Sequence, residues 1–237
     1  MGRSKDLATG ETRFVNTSGD TMTGDLTISS TAGQLKLTDT DGTEQNTTIK
    51  QSGGNVFIQA RDNTNNAGIV FAGNGGGNYS EHMRINASGI VTKPNQPCFS
   101  ASLGSNQSIN SSTWTKVNLN TEQLDKGNNF DTSNYRFVAP VAGSYFFTAK
   151  VNWEGGSSAG GGYLYMSIKV NNTTHWYLNG LRPDSGTNFE SDTQLSGSEI
   201  VSLAANDYVE LWAYAHWASS GNVYGSNRTR LSGFLIG

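Results

Sequence analysis

From about residue 135 onward, apolar residues return at every other position, a spacing that leaves a chain little to fold into except a pair of packed sheets. Across 144–153, Tyr145, Phe147, Ala149, Val151 and Trp153 share one parity, and Phe146, Thr148, Lys150 and Asn152 the other. Across 163–170, Leu164, Met166, Ile168 and Val170 oppose Tyr163, Tyr165, Ser167 and Lys169. Across 208–217, Val209, Leu211, Ala213 and Ala215 oppose Glu210, Trp212, Tyr214 and His216. Successive side chains on a strand point to opposite faces, so each stretch presents one core face and one outer face. Further short strands are read at 135–140, 199–203 and 230–236. Closely spaced strands with turns between them predict an all-β sandwich.

Composition agrees. Charged residues make up 15% of the 237, and 29 residues are glycine. Asn, Ser and Thr draw the backbone into local hydrogen bonds that compete with helices, and glycine is entropically costly in them. The net charge of −3 comes with no Lys/Arg cluster, so the electrostatic footprint of a nucleic-acid binder is missing. No apolar run approaches the ~20 residues that span a bilayer. The first residues, Met1-Gly2-Arg3-Ser4-Lys5-Asp6-Leu7-Ala8, lack the apolar stretch of a secretion signal, so assembly in a cytoplasm is expected. Cys98 stands alone, with no partner for an intrachain disulfide, and is expected to be a small buried apolar side chain.

The sharpest boundary is Lys93-Pro94-Asn95-Gln96-Pro97, which holds two of the four prolines; all five tryptophans follow it. The expected organisation is an attachment peptide over 1–13, a β-rich stalk over 14–93, a linker over 94–97 and a sandwich head over 98–237. The stalk carries short strand signals such as Leu26-Thr27-Ile28, Leu35-Lys36-Leu37, Val56-Phe57-Ile58 and Ile69-Val70-Phe71. Turn signals separate them, among them Asp41-Gly42 and Gly53-Gly54-Asn55. One copy has too little apolar area for a core, so the stalk is expected to find its core between chains. The glycine-rich 73–78 stretch lacks the Lys-Ser/Thr of a phosphate loop and reads as a turn.

The residues Asp125, Phe130, Phe137, Gly143, Tyr145 and Phe147 carry a resemblance to the C1q/tumour-necrosis-factor-like family of jelly-roll trimers. Leu119 stands where a Phe is usual there, and Ala149 where a Phe or Tyr is usual. Phe99-Ser100-Ala101, the stretch from Leu203 to Leu211 and Ser232-Gly233-Phe234-Leu235-Ile236 resemble further family segments. Gly143, after Pro140, is expected to adopt positive φ. Upstream, Gly19-Asp20-Thr21-Met22-Thr23-Gly24-Asp25-Leu26 and the stretch from Glu81 to Val91 resemble phage tail-fibre segments. Together the resemblances imply a homotrimeric bacteriophage virion fibre, with an intertwined β stalk and a C1q-like jelly-roll head. They also imply that its N-terminus joins other virion or tail proteins and that its head meets a host surface glycan or protein. A purely structural adaptor or decoration fibre, and a cellular C1q-like lectin, are the alternatives.

Outward aromatics on neighbouring strands would form an exposed patch unless another subunit covered them. Tyr163, Tyr165, Trp212, Tyr214 and His216 are therefore expected to line the trimer axis. Trp153, Trp176, Tyr177, Trp217 and Tyr224 flank or occupy the loops 154–162, 178–192 and 218–227, and are the candidate receptor contacts. His82, His175 and His216 show no metal-ligand spacing, and no Gly-x-Ser-x-Gly elbow occurs. Neither an enzyme nor a resident cofactor is expected. The resemblance to C1q-like proteins, some of which hold calcium on loop carboxylates, implies a loop calcium through Asp184, Glu190 and Asp192, although these acids lack the regular spacing of a dedicated site.

Overall fold

The computed structural model describes residues 34–38, 46–62, 67–75, 78–154, 162–182, 192–216 and 221–237. The attachment peptide 1–13, the Gly19–Leu26 motif, the Leu26-Thr27-Ile28 strand and the Asp41-Gly42 turn lie outside them. Regular structure among the described residues is strand alone. The chain divides into two compact units, one formed by Met1–Val70 with Arg84–Val91 and the other by Phe71–Met83 with Thr92–Gly237.

The N-terminal strands are β1 (Gln34–Thr38), β2 (Asn46–Ser52), β3 (Asn55–Arg61), β4 (Ile69–Gly75), β5 (Asn78–Ile85) and β6 (Val91–Thr92). They make two three-stranded sheets, β1-β2-β3 and β4-β5-β6. Gly53 and Gly54 both take positive φ, 56° and 78°, which closes the two-residue turn between Ser52 and Asn55. The glycine-rich stretch read as a turn is mostly strand: Gly73 to Gly75 belong to β4, and Asn78 opens β5.

The antiparallel register of the first sheet sorts its side chains. Leu35 pairs Ile49, which pairs Ile58, and Gln51 pairs Val56. Leu35, Leu37, Ile49, Val56 and Ile58 therefore share one face. Lys36, Thr48, Gln59, Lys50 and Arg61 share the other with Phe57, whose ring lies 5.4 Å from Lys50 Nζ. Among the described residues the apolar face is open: Leu37 is 61% exposed and Val56 71%.

The head holds β7 (Cys98–Ser102), β8 (Gln107–Ile109), β9 (Thr115–Lys116), β10 (Thr121–Lys126), β11 (Phe130–Asp131), β12 (Arg136–Val138), β13 (Gly143–Glu154), β14 (Tyr163–Val170), β15 (Thr174–Leu181), β16 (Thr193–Leu203), β17 (Tyr208–His216), β18 (Gly221–Val223) and β19 (Arg230–Leu235). One sheet runs β10-β7-β19-β13-β18-β8, with β16 on the other edge of β13. The second runs β11-β12-β17-β14-β15, with β9 on β17. Every resolved pairing in these sheets is antiparallel, and consecutive strands often lie in different sheets, as a jelly roll requires. The 94–97 segment is not a free tether throughout. Pro97 is buried, its carbonyl accepts from Leu235 N at 3.1 Å, and Gln96 Nε2 donates to Leu235 O at 2.7 Å.

Core residues follow the period-two reading. Tyr145, Phe147, Ala149, Val151 and Trp153 of β13, Leu164, Met166 and Ile168 of β14, and Val209, Leu211, Ala213 and Ala215 of β17 are all buried. Phe99 stacks on Phe137 at 4.6 Å and on Phe130 at 5.2 Å. Tyr145 sends its hydroxyl to Val141 O at 2.8 Å, so a buried phenol keeps its hydrogen bond. Leu119 and Ala149 are both core residues.

Two expectations change. Gly143 is not in the left-handed region; a Cβ there would stand 2.8 Å from Leu235 Cδ1 and 2.9 Å from Gly237 O, so the glycine answers a close approach rather than a turn. Cys98 is only half-buried. It has the parity of Ser100, not of the buried Phe99 and Ala101, and so faces outward from its sheet.

Candidate functional site

The outer face of the second sheet is built by register. Tyr163 pairs His216, and Tyr165 pairs Tyr214 on one side and Gly180 on the other. Ser167 pairs Trp212 and Tyr177, and Lys169 pairs Glu210 and His175. Side chains of matching parity on β14, β15 and β17 thus meet in rows across three strands. Trp114, just before the two-residue β9, reaches the same rows because Thr115 pairs Ala213 of β17.

The result is an aromatic basin of about 540 Å3 lined by Trp114, Tyr163, Tyr165, Tyr177, Arg182 and Tyr214. Trp114 packs against Tyr214 at 5.4 Å and Tyr177 at 5.7 Å. Tyr163 stacks on His216 at 4.9 Å and on Tyr214 at 5.8 Å. Arg182 holds its guanidinium carbon 5.5 Å from the Tyr163 ring centre. The Tyr165 ring lies across Gly180, where a Cβ would stand 2.4 Å from its Cδ1. Hydrogen bonding to Tyr214 holds the Tyr163 phenol above its ordinary range.

One row below lies a charged cluster. Lys169 and Glu210 are buried. Lys169 Nζ sits 3.5 Å from the Trp212 ring centre, a cation–π contact. Glu210 accepts from Lys116 Nζ at 3.0 Å and from Trp212 Nε1 at 3.1 Å. Burial lowers the Lys169 pKa, partly offset by Glu210. Burial, and then the charge of Lys169, lowers that of His175, whose Nδ1 shares a 3.2 Å hydrogen bond with Ser167 Oγ.

Of the expected axis residues, Tyr163, Tyr165, Tyr214 and His216 come together, and Trp212 belongs to the charged cluster beneath them. The four expected receptor contacts that are described do not converge. Trp153 is wholly buried because it has the core parity of β13, so it cannot touch a receptor in this fold. Tyr177 joins the basin, since 178–181, read as loop, continues β15. Trp176 is exposed on the same edge strand, paired with Ile168. Tyr224 lies under Arg228, 4.8 Å from its guanidinium carbon. Trp217 lies outside the described residues.

Asp184 and Glu190 also lie outside the described residues, and Asp192 forms an ion pair with Arg228. No group of three or more His, Cys, Asp or Glu side chains among the described residues is placed to hold a metal. The basin residues that the sequence reading missed are Trp114 and Arg182; neither lies on a strand with visible alternation.

The first head sheet has its own uncovered feature. Ile200 pairs Phe146, Phe146 pairs Phe234, and Phe234 pairs Cys98, one apolar row over four strands. Phe146 and Phe234 pack at 5.4 Å. Ile200 is 55% exposed and Phe234 46%. Beside it runs a hydroxyl row in which Ser232 Oγ donates to Ser100 Oγ at 2.9 Å.

The family model of the C1q domain matches residues 98–236. Among curated proteins, the chain is similar to the uncharacterized protein YqcC of Bacillus subtilis (strain 168), with 31% identity over 112 residues, 44% of this chain and 28% of that one. It is also similar to the phage-like element PBSX protein XkdV of the same bacterium, with 33% identity over 111 residues, 46% of this chain and 16% of that one. The match thus spans well under a third of either relative. Among solved structures, the globular domain of zebrafish complement 1qA covers 60% of this chain and 98% of its own length, at 18% identity and a TM-score of 0.38. Murine APRIL covers 60% and 99%, at 11% identity and a TM-score of 0.43.

Proposed function

The chain belongs to the C1q domain family, and from that premise we propose that it is a structural component of a bacteriophage-type particle, a homotrimer whose head contacts the host surface. The observation that carries the assembly is the bare apolar face of β1, β2 and β3. A contiguous apolar face of this kind needs a cover, because large exposed apolar patches mark interaction surfaces. Further copies of the same chain supply an identical apolar face, which makes a core between chains.

In the head, the Ile200–Phe146–Phe234 row is the matching contact surface. Its exposed side chains are aliphatic or phenylalanine, with no polar group to satisfy, as suits the centre of a protein interface. The second reading, with Tyr163, Tyr165, Trp212, Tyr214 and His216 on the threefold axis, is favoured by the breadth of the aromatic face. That face, however, is concave and carries phenol hydroxyls, which suits a polar ligand better.

The particle setting is supported by the similarity to a protein of a phage-like element. Attachment through the head is supported by the basin, a concave site of rigid amphipathic rings of the kind used for recognition. A tail fibre is the position that fits both, with the N-terminal residues docking other virion proteins. Light scattering on the whole chain tests the assembly: a mass three times the 25.4 kDa chain is expected, and a monomer overturns it. Detection of the protein in purified particles, with antibody to it blocking adsorption, tests the setting. Presence without such blocking would leave a purely structural role.

A further inference from the structure

We propose that the basin formed by Trp114, Tyr163, Tyr165, Tyr177, Tyr214 and Arg182 is a saccharide subsite, shaped for a pyranose ring that bears an anionic substituent. The inference rests on the attachment reading and deepens it by naming the site and the ligand class. Three observations carry it.

The first is shape and surface. Five rings surround a space of about 540 Å3, and the Tyr165 ring lies across Gly180. Ring faces carry partial negative charge, and the axial C–H groups of a pyranose carry the opposite sign, so the two stack with apolar area removed from water. The second is polarity. Tyr163, Tyr165, Tyr177 and Tyr214 line the space with four phenols, each hydroxyl both donor and acceptor, as hydroxyl-rich ligands require. An aliphatic or purely apolar occupant would strand them.

The third is charge. The only ionised side chain among the lining residues is Arg182, exposed and set over Tyr163. Glu210, the buried acid of the row below, is already held by Lys116 and Trp212. Among the described residues of this lining, a cationic ligand would therefore meet a guanidinium and no carboxylate. A carboxylate or phosphate on the sugar would gain a charge-assisted pair with Arg182.

The test uses the intact chain and three probes at millimolar concentration: methyl glucoside, methyl glucuronide and glucose 6-phosphate, each repeated in the galacto series. Binding is read by ligand-observed NMR and by quenching of tryptophan emission. At least one acidic sugar is expected to bind more tightly than its neutral partner. A carboxylate preference and a phosphate preference separate the two kinds of surface polymer. Arg182→Gln, at an exposed position, is expected to weaken the acidic sugar about tenfold and leave the neutral one unchanged. Tyr165→Ala is expected to abolish both.

Absence of binding by all probes overturns the subsite, as does binding that is unchanged in both variants. A tighter neutral sugar overturns the anionic preference. Loss of the trimer in Arg182→Gln would also overturn it, by placing the basin in a protein contact. Adsorption of the intact protein to bacterial cells is measured alongside. Sugar binding without adsorption retires the host reading and leaves the subsite standing; adsorption without sugar binding does the reverse.

Discussion

The ring of Tyr165 lies flat over Gly180: a Cβ on that glycine would stand 2.4 Å from Tyr165 Cδ1 and 2.6 Å from Cε1. The glycine is the pair partner of Tyr165 in the β14–β15 ladder, so the missing side chain is what lets the ring lean across the strand. Gly180→Ala is therefore expected to push Tyr165 into the basin. Overpacking of this kind costs about 1–3 kcal/mol. A lowered thermal midpoint, with altered tryptophan emission from Trp114, is the expected result. An unchanged midpoint and spectrum would show that the ring does not rest there.

Asp125 explains one of the residues through which the chain resembles its family. Its carboxylate accepts from Asn129 N at 3.1 Å and from Phe130 N at 2.9 Å, closing the turn that delivers Phe130 onto Phe99. Asp125→Ala removes an ionised acceptor from two backbone donors, at a cost of about 2 kcal/mol. Urea denaturation should show a lower midpoint with an unchanged slope. Asp125→Asn should recover part of the loss, because one side-chain oxygen remains.

Much of the head was legible because strand parity is a local property. Tyr145 to Trp153 and Val209 to Ala215 read as core from spacing alone, and they are core. The basin was legible only in part. Tyr163 meets His216, and Tyr165 meets Tyr214, through pairings about fifty positions apart, and no local pattern fixes that register. Trp114 precedes a two-residue strand, too short to show alternation. The same gap misplaced Trp153: a residue beside a loop looked accessible, while its parity put it inside. Gly143 shows another limit, since sequence suggests a special φ where the structure has a close approach to Leu235.

Stability should depend on pH in two separate windows. The folded pKa of His175 lies below its ordinary 6.5, chiefly through burial and then through Lys169. The groups around it are Ser167, Trp114, Tyr177 and Lys169. Between the folded and unfolded values the unfolded chain binds more protons, so stability is full above pH 6.5 and falls as pH drops through the folded value. Asp131 and Asp207 have pKa values lowered from 3.8, first by hydrogen bonds from the side chains of Asn134 and Asn171. Their contribution is present above 3.8 and lost below it. Thermal midpoints across pH should show both steps, and His175→Gln should remove the upper step only. A variant that kept the upper step would assign it elsewhere.

The two uncovered faces of the head make opposite predictions. Ile200 projects from the first sheet in a row with Phe146 and Phe234, where, in the proposed trimer, a charge would meet a copy of itself. Burial of an unpaired carboxylate costs several kcal/mol, and three copies repeat the penalty. Ile200→Glu should therefore give monomeric heads, with little change in the fold because the side chain is already in solvent within one chain. Trp212 sits in the cluster of Lys169 and Glu210 on the second sheet. Its removal uncovers Lys169 and strips a donor from Glu210, so Trp212→Ala should lower thermal stability and leave the trimer intact. Light scattering on the two variants separates the readings. If Trp212→Ala dissociates while Ile200→Glu remains trimeric, the axis runs along Tyr163, Tyr165 and Tyr214 and the basin is closed by assembly.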